Sequence, residues 1–403
     1  MGRSPQADPH ARGSFLKIKE GHEEMSWDFK FGIEEEYFVN DAPRRDIAKG
    51  KIREFFAACR EQVSGDIEPE MLEPQLEIAT KPSLELADAR AQLAGLRASV
   101  GAVARDFNLS IMASGTHPLA VWSRVRPNAQ PRYGKVMHDL QMLGSRTVLC
   151  GMHVHVEVPD LGMRVDIMNR IQPFLPLLLA LSTSSPFWQA QRTGLLGYRL
   201  AAYRELPRTG FPDLFENEQD YQRYIDTLVA ARAIENSSYV WWVIRPSLKH
   251  PTLELRVADS CTRVDDTIAI AALYRCLVRR LSLDTNLNAG QTGASRAIND
   301  ENGWRAQRYG IHGSFVDEKT RMAKPVRELL DETLDLVAED AKELGCQREL
   351  DLARWIVARG TSADQQLTLY TEAVGRGLSN RDALAGVVDW LSAETMGEPA
   401  FRH

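Results

Sequence analysis

Several short stretches of this chain carry acids, histidines or arginines at every second position, the spacing that sets side chains next to one another on one face of a β-strand. In Gly32-Ile33-Glu34-Glu35-Glu36-Tyr37, Glu34 and Glu36 share a face, while Ile33, Glu35 and Tyr37 share the other. As a charged residue, Glu35 is expected to be exposed to solvent. In Cys150-Gly151-Met152-His153-Val154-His155-Val156-Glu157, the residues His153, His155 and Glu157 face one way and Met152, Val154 and Val156 the other. Pro251-Thr252-Leu253-Glu254-Leu255-Arg256-Val257 sets Glu254 beside Arg256, and Gln75-Leu76-Glu77-Ile78 adds Glu77 by the same logic. Any one of these strands fits an ordinary amphipathic strand with a solvated polar face. Their recurrence favours an antiparallel sheet that gathers the charged faces into one concave floor.

Two like carboxylates that close raise each other's pKa unless something positive lies between them. A set of carboxylates and imidazoles without thiolate suits Mg²⁺, or Mn²⁺, rather than Zn²⁺, with room for two or more ions. Magnesium held this way bridges nucleotide phosphates. Arg256 would then steady a transferring γ-phosphoryl group, with Arg245 in Ile244-Arg245-Pro246-Ser247 as a second catalytic cation. There is no GxxxxGK[ST] loop and no GxGxxG turn after a strand, so metals and arginines must hold the nucleotide. His155 and Arg199 are further candidates for binding nucleotide or substrate, whereas Arg204 reads as a surface or salt-bridge residue. His117, in Gly115-Thr116-His117-Pro118 at the end of a strand, is suited either to orienting substrate or to capping the turn.

The elements that must position these residues form an α+β pattern. Period-2 stretches fall near 28–39, 71–79, 110–115, 150–158, 239–245 and 252–259. Helical periodicity is read at 46–62, 83–107, 164–184, 217–235, 264–284 and 322–344, and the chain is expected to be all-helical from about 320. The Pro/Gly-rich stretch 206–213 is expected to be a loop. Residues 1–25 are polar and carry Pro5, Pro9 and Gly13, which suggests a loose tail before one domain over 26–403, with Met25 as a possible start of the ordered protein.

The 403 residues carry a net charge of -6 and no dense Lys/Arg stripe, which argues against a nucleic-acid partner. The longest apolar stretch, Ile171 to Leu181, contains Pro173 and Pro176 and is too short for a membrane span, so it is expected to be a core helix. Five cysteines, scattered and in no CxxC pair, point to a reducing, cytoplasmic setting rather than to disulfides or a zinc knuckle.

GIEEE at 32–36, GTHP at 115–118, CGMHVHV at 150–156, RPS at 245–247, PTLELRVAD at 251–259 and Arg308-Tyr309-Gly310 occur in one order from Phe29 to near the C-terminus. Together they resemble the carboxylate–amine ligase family, also called type 2 glutamate–cysteine ligases, of the glutamine synthetase-like superfamily. The resemblance implies a glutamine synthetase-like catalytic fold, a curved antiparallel sheet flanked by helices, that brings ATP and glutamate together over Mg²⁺ and proceeds through an acyl phosphate. It implies metal-ligand roles for Glu34, Glu36, His153, Glu254 and Glu77, and a phosphate-binding role for Arg256. The implied partners are ATP, glutamate or a similar carboxylate, and an amine, with cysteine one candidate; a homo-oligomer is expected. Where many relatives read Asp-Thr-Gly this chain has Arg192-Thr193-Gly194, an added charge suited to altering substrate choice. Three other readings compete. A guanidino kinase would lack the paired ExE and HxH strands, a metallohydrolase would act without ATP, and a non-catalytic binder would not need a full set of ligand-type residues.

Overall fold

The computed structural model describes residues 27–398. The tail and the proposed start at Met25 lie outside the described residues.

An eight-stranded antiparallel sheet organises the chain. Its strands are β1 (Phe31–Asp41), β2 (Asp46–Ile47), β3 (Asp66–Pro69), β4 (Gln75–Ala79), β5 (Leu109–Met112), β6 (Met152–Glu157), β7 (Ile244–Pro246) and β8 (Thr252–Leu255). The order is β7-β8-β6-β1-β4-β3, with β2 and β5 also pairing with β1. β1 is therefore the central strand, and its buried/half-buried alternation from Phe31 to Glu36 matches the period-2 reading.

Against the apolar side pack α1 (Ile52–Gln62), α2 (Leu86–Asp106), α4 (Leu161–Arg170), α5 (Leu175–Ser182) and α8 (Val264–Leu283), which share one core with Ile33, Ile78, Val154 and Leu255. Over the opposite side lie α3 (Pro131–Leu140) and α6 (Tyr198–Tyr203), while α7 (Glu218–Ala230) packs on α4 and α9 (Gly293–Tyr309) on α5. Helices from Val326 to Thr395 complete the chain.

Several expectations are corrected. Glu35 is not exposed but fully buried, because Arg97, itself 2% exposed, meets its two oxygens at 2.8 and 3.0 Å. Thr267 donates to Glu35 at 2.6 Å and the Tyr37 hydroxyl also donates to it, so the carboxylate is satisfied inside the core. Burial pushes the Tyr37 hydroxyl well above its usual range. The helix expected from 46 starts only at Ile52, since Asp46 and Ile47 pair with β1.

The helix expected over 164–184 is two helices joined by a turn at Gln172–Phe174. Pro173 and Pro176 lack the N–H that a continuous helix needs, yet each fits the first turn of a new one. The stretch expected to be a strand at 239–245 splits, with Trp241 and Trp242 pairing with Thr209 and Gly210 inside the expected loop and Ile244–Pro246 joining the sheet. Met322–Pro325 is a strand paired with Ser314–Asp317, so the helical C-terminal part begins at Val326 rather than at 320. Elements that were not anticipated include β3, α3, α6, and α9, which Thr292 and Ser295 cap reciprocally.

Candidate active site

Strand register lines the chemistry up. Arg245 on β7 stands opposite Glu254 on β8, which stands opposite His155 on β6. His153 on β6 stands opposite Glu34 on β1, and Glu36 on β1 opposite Glu77 on β4, which faces Glu68 on β3. Because the apolar residues between them are pulled into the core, the polar residues have to share the other face. They line one cavity of about 490 Å³ together with Glu70, Arg199, Tyr203 and Arg256.

Three groups on this floor place ligand-type atoms within 4.8 Å of one another: Glu34, His155 and Glu254; Glu34, Glu77 and His153; and Glu36, Glu70 and Glu77. His153 Nδ1 is 3.3 Å from Glu34 and its Nε2 is 3.7 Å from Glu36, while His155 Nε2 is 3.3 Å from the other Glu34 oxygen. The Nε2 atoms of both histidines are buried without a hydrogen-bond partner among the described residues. His155 is oriented from its far side, where Nδ1 and the Thr252 hydroxyl lie 2.9 Å apart. Crowded acids and orphaned imidazole nitrogens of this kind fit Mg²⁺ or Mn²⁺.

The electrostatics divide the acids into two kinds. Burial pushes Glu34 and Glu254 up, but His153 and His155 more than offset it at Glu34, and Arg245 and Arg256 at Glu254, so both end below the usual range. At Glu70 and Glu77 the Arg256 charge, with the Met71 N–H at Glu70, offsets only part of that push. Burial, and then the charge of neighbouring acids, raises Glu77 well above its usual value and Glu70 to about 7. A divalent cation between them would remove the penalty.

At the β7–β8 end Arg245 grips Glu254 with two bonds, 2.8 and 3.1 Å, and also donates to the Ser238 and Val240 carbonyls at 2.9 Å. This makes it a positioning group for Glu254. Arg256 bonds the same carboxylate through one nitrogen and keeps a buried Nε without a partner among the described residues. Arg199 is only 3% exposed and has no acidic partner within ion-pair distance among the described residues; its one side-chain bond is to the Arg256 carbonyl at 3.4 Å. Gly151 makes its position possible, since a Cβ there would lie 2.1 Å from the guanidinium.

The expected site residues Glu34, Glu36, Glu77, His153, His155, Arg199, Arg245, Glu254 and Arg256 thus all meet at one cavity. His117 does not. It is fully buried away from the cavity lining, and its Nδ1 accepts from the backbone N–H groups of Leu119 and Ala120 at 3.0 Å, so it caps its turn. Arg192 is exposed on a two-residue strand and is no part of the lining, so the Arg-Thr-Gly departure puts no charge in the cavity. Arg204 pairs with Asp300 at 2.8 Å, as a surface residue should. Glu70 escaped the sequence reading because it directly follows β3, which was itself not anticipated; its clue was the same i, i+2 spacing, two residues after Glu68, and both line the cavity.

An antiparallel sheet with a row of acids and histidines on one face and two arginines at one end fits a glutamine synthetase-like fold. Solved structures agree on the fold. The glutamate–cysteine ligase of Francisella tularensis, determined in complex with AMP, matches with a TM-score of 0.69 at 13% identity over 92% of this chain and 90% of that one. A bifunctional glutathione synthetase from Pasteurella multocida matches with a TM-score of 0.63 at 13% identity over 91% of this chain, which spans 52% of that longer protein.

Sequence comparison is more specific. The model of glutamate–cysteine ligase family 2 matches residues 30–383, and the chain belongs to that family. It is accordingly an ATP-dependent ligase that forms carbon–nitrogen bonds. Relatives assigned to glutamate–cysteine ligase 2 include one from Bradyrhizobium diazoefficiens, 46% identical over 93% of this chain and 86% of its own length. Another, from Rhodospirillum rubrum, is 43% identical over 91% of this chain and 96% of its own length.

Proposed function

We propose that this protein activates a carboxylate, with glutamate the first candidate, as an acyl phosphate at the expense of ATP and passes the acyl group to an amine. The observation that carries the reading is the unbroken row from Arg245 to Glu70: cations and paired ligands at one end, crowded acids at the other, in one cavity. Mg²⁺ would be held by Glu34, Glu36, Glu70, Glu77, His153, His155 and Glu254. When bound it shields the triphosphate and the charge of the transferring phosphoryl group.

The chain's own groups supply the rest. Arg256, fixed by Glu254, offers its free Nε–H to the phosphoryl oxygens, and Arg245 keeps Glu254 in place for that task. Arg199, a buried cation in need of an anion, fits a substrate carboxylate. In the first step a carboxylate oxygen forms a bond to the γ-phosphorus and the bond to the ADP oxygen breaks. In the second the amine nitrogen bonds the acyl carbon, inorganic phosphate leaves with the electron pair of the C–O bond, and the nitrogen loses a proton.

The direct test is to incubate the protein with ATP, Mg²⁺, glutamate and a panel of amines, following ADP and the mass of the condensed product. ADP release that depends on both the carboxylate and the amine is expected. Release indifferent to any carboxylate would refute a ligase acting on that substrate.

A further inference from the structure

Asp259 closes the PTLELRVAD stretch and has no part in the chemistry described so far. It is fully buried, and its Oδ1 has no hydrogen-bond partner among the described residues. Such an oxygen is costly to bury unless a positive charge lies near it. Its other oxygen accepts from the Ser184 N–H at 3.0 Å and from the Ser185 hydroxyl at 2.7 Å.

The nearby charge is that of Arg199. Asp259 and Gly151 face each other across an antiparallel bridge, and Gly151 is the residue whose missing side chain makes room for the Arg199 guanidinium. Gly115 does the same for the acid, since a Cβ there would lie 2.6 Å from the Asp259 carboxyl carbon. GTHP, CGMHVHV and PTLELRVAD thus each supply one residue to this contact. Burial pushes the Asp259 carboxyl up, and the Arg199 charge draws it part of the way back. One hydroxyl also joins the two: Ser185, which donates to Asp259, accepts from the Arg199 backbone N–H at 2.9 Å. That N–H lies in the first turn of α6, where it has no helical partner. Further along the same helix, the Tyr203 ring centre is 5.6 Å from the guanidinium carbon.

The acid nevertheless makes no ion pair with the guanidinium, whose Nε is itself buried without a partner among the described residues. Ser184 and Ser185 hold the carboxylate back. An acid in contact would occupy the fork that a substrate needs, whereas one held a step away attracts the cation and leaves it open.

From this arrangement, and resting on the reading of Arg199 as the site of the substrate carboxylate, we infer that Asp259 is a positioning residue. Acting through Ser185 and through its charge, it fixes Arg199 beforehand in the place where the substrate carboxylate meets it.

The test is a double-mutant cycle on the full chain with ATP, Mg²⁺, glutamate and an amine. Asp259→Asn is expected to raise the KM for glutamate by about tenfold, the scale on which loss of an orienting partner weakens a site, with the KM for ATP unchanged. In the Arg199→Met background the same substitution should add nothing further. An equal rise in both backgrounds, a parallel rise in the KM for ATP, or no rise at all overturns the inference. Ser185→Ala, which keeps the acid, should give a smaller rise with the same dependence on Arg199. Should Asp259→Asn fail to fold, that variant decides alone, and no rise overturns the inference.

If Arg199→Met leaves the KM for glutamate unchanged, or no carboxylate triggers ADP release, the reading of Arg199 fails separately. NMR of arginine-labelled protein then judges the positioning by itself. The Arg199 Nε–H signal, identified by its loss in Arg199→Met, should shift and exchange faster with water in Asp259→Asn and Ser185→Ala. An unmoved signal in both variants overturns the inference.

Discussion

Glu70 and Glu77 show how a single carboxylate can register whether its site is filled. Glu70 is raised from 4.5 to about 7, by burial first and by the Glu36 charge second. A carboxylate whose folded pKa is raised contributes stability that is present below its unfolded value and is lost as pH rises through the folded value. Mg²⁺ held there would reverse that loss by pairing with the ionised form. The thermal stabilisation given by Mg²⁺ should therefore grow as pH climbs from 4.5 to about 7, and melting scans with and without the ion would check it.

Glu36→Ala and Arg256→Ala should each lower carboxylate-dependent ADP release by about a hundredfold or more, the scale of losing a charge-stabilising group, with the circular dichroism spectrum unchanged. Arg199→Met should act differently. It should raise the KM for the carboxylate substrate by about ten- to a hundredfold, as expected for a lost charge-assisted hydrogen bond, and leave the KM for ATP unchanged. Arg199→Lys should recover only part of this, because an ammonium cannot copy the planar fork.

At the level of elements, the central strand is the part most exposed to damage. Its inward side carries Glu35 against Arg97, and removing one partner of such a buried pair leaves the other charge stranded. Glu35→Ala or Arg97→Met is expected to cost about 3–5 kcal/mol in urea unfolding, whereas replacing both with apolar residues should cost much less.

The same strand shows what the sequence could and could not convey. Glu34, Glu36, His153, Glu254 and Arg256 were legible because alternation is a local property and each strand declares its faces by itself. Glu35 was misread for the same reason: its partner lies 62 residues away on α2, and no local pattern announces it. Glu70 was missed with β3, the short strand that it follows, and His117 sits in a turn, where position depends on packing and not on period. The split of 164–184 was legible in Pro173 and Pro176, but the apolar run outweighed them.

Across the whole molecule, the far end of the chain closes on the beginning. Arg97 also donates to the carbonyls of Cys261, Thr262 and Thr395, the last 298 residues on, and the Ala113 N–H donates to the Thr395 hydroxyl at 2.9 Å. Arg263 pairs with Glu394 at 2.6 Å. Deleting the helix Asn380–Thr395 should thus abolish turnover and broaden thermal unfolding, although it removes no residue of the cavity lining. Full activity in such a truncation would contradict the clamp.

The clamp also bears on how the protein is made. Every acid, histidine and arginine of the floor has been synthesised by Arg256, yet Arg97, which holds the inner side of β1, gains its last bond only from a helix more than a hundred residues later. A nascent chain on the ribosome therefore carries a complete set of ligands without the scaffold that aligns them. Activity should switch on only with the final helix, so that an unfinished product neither gathers metal in earnest nor consumes nucleotide.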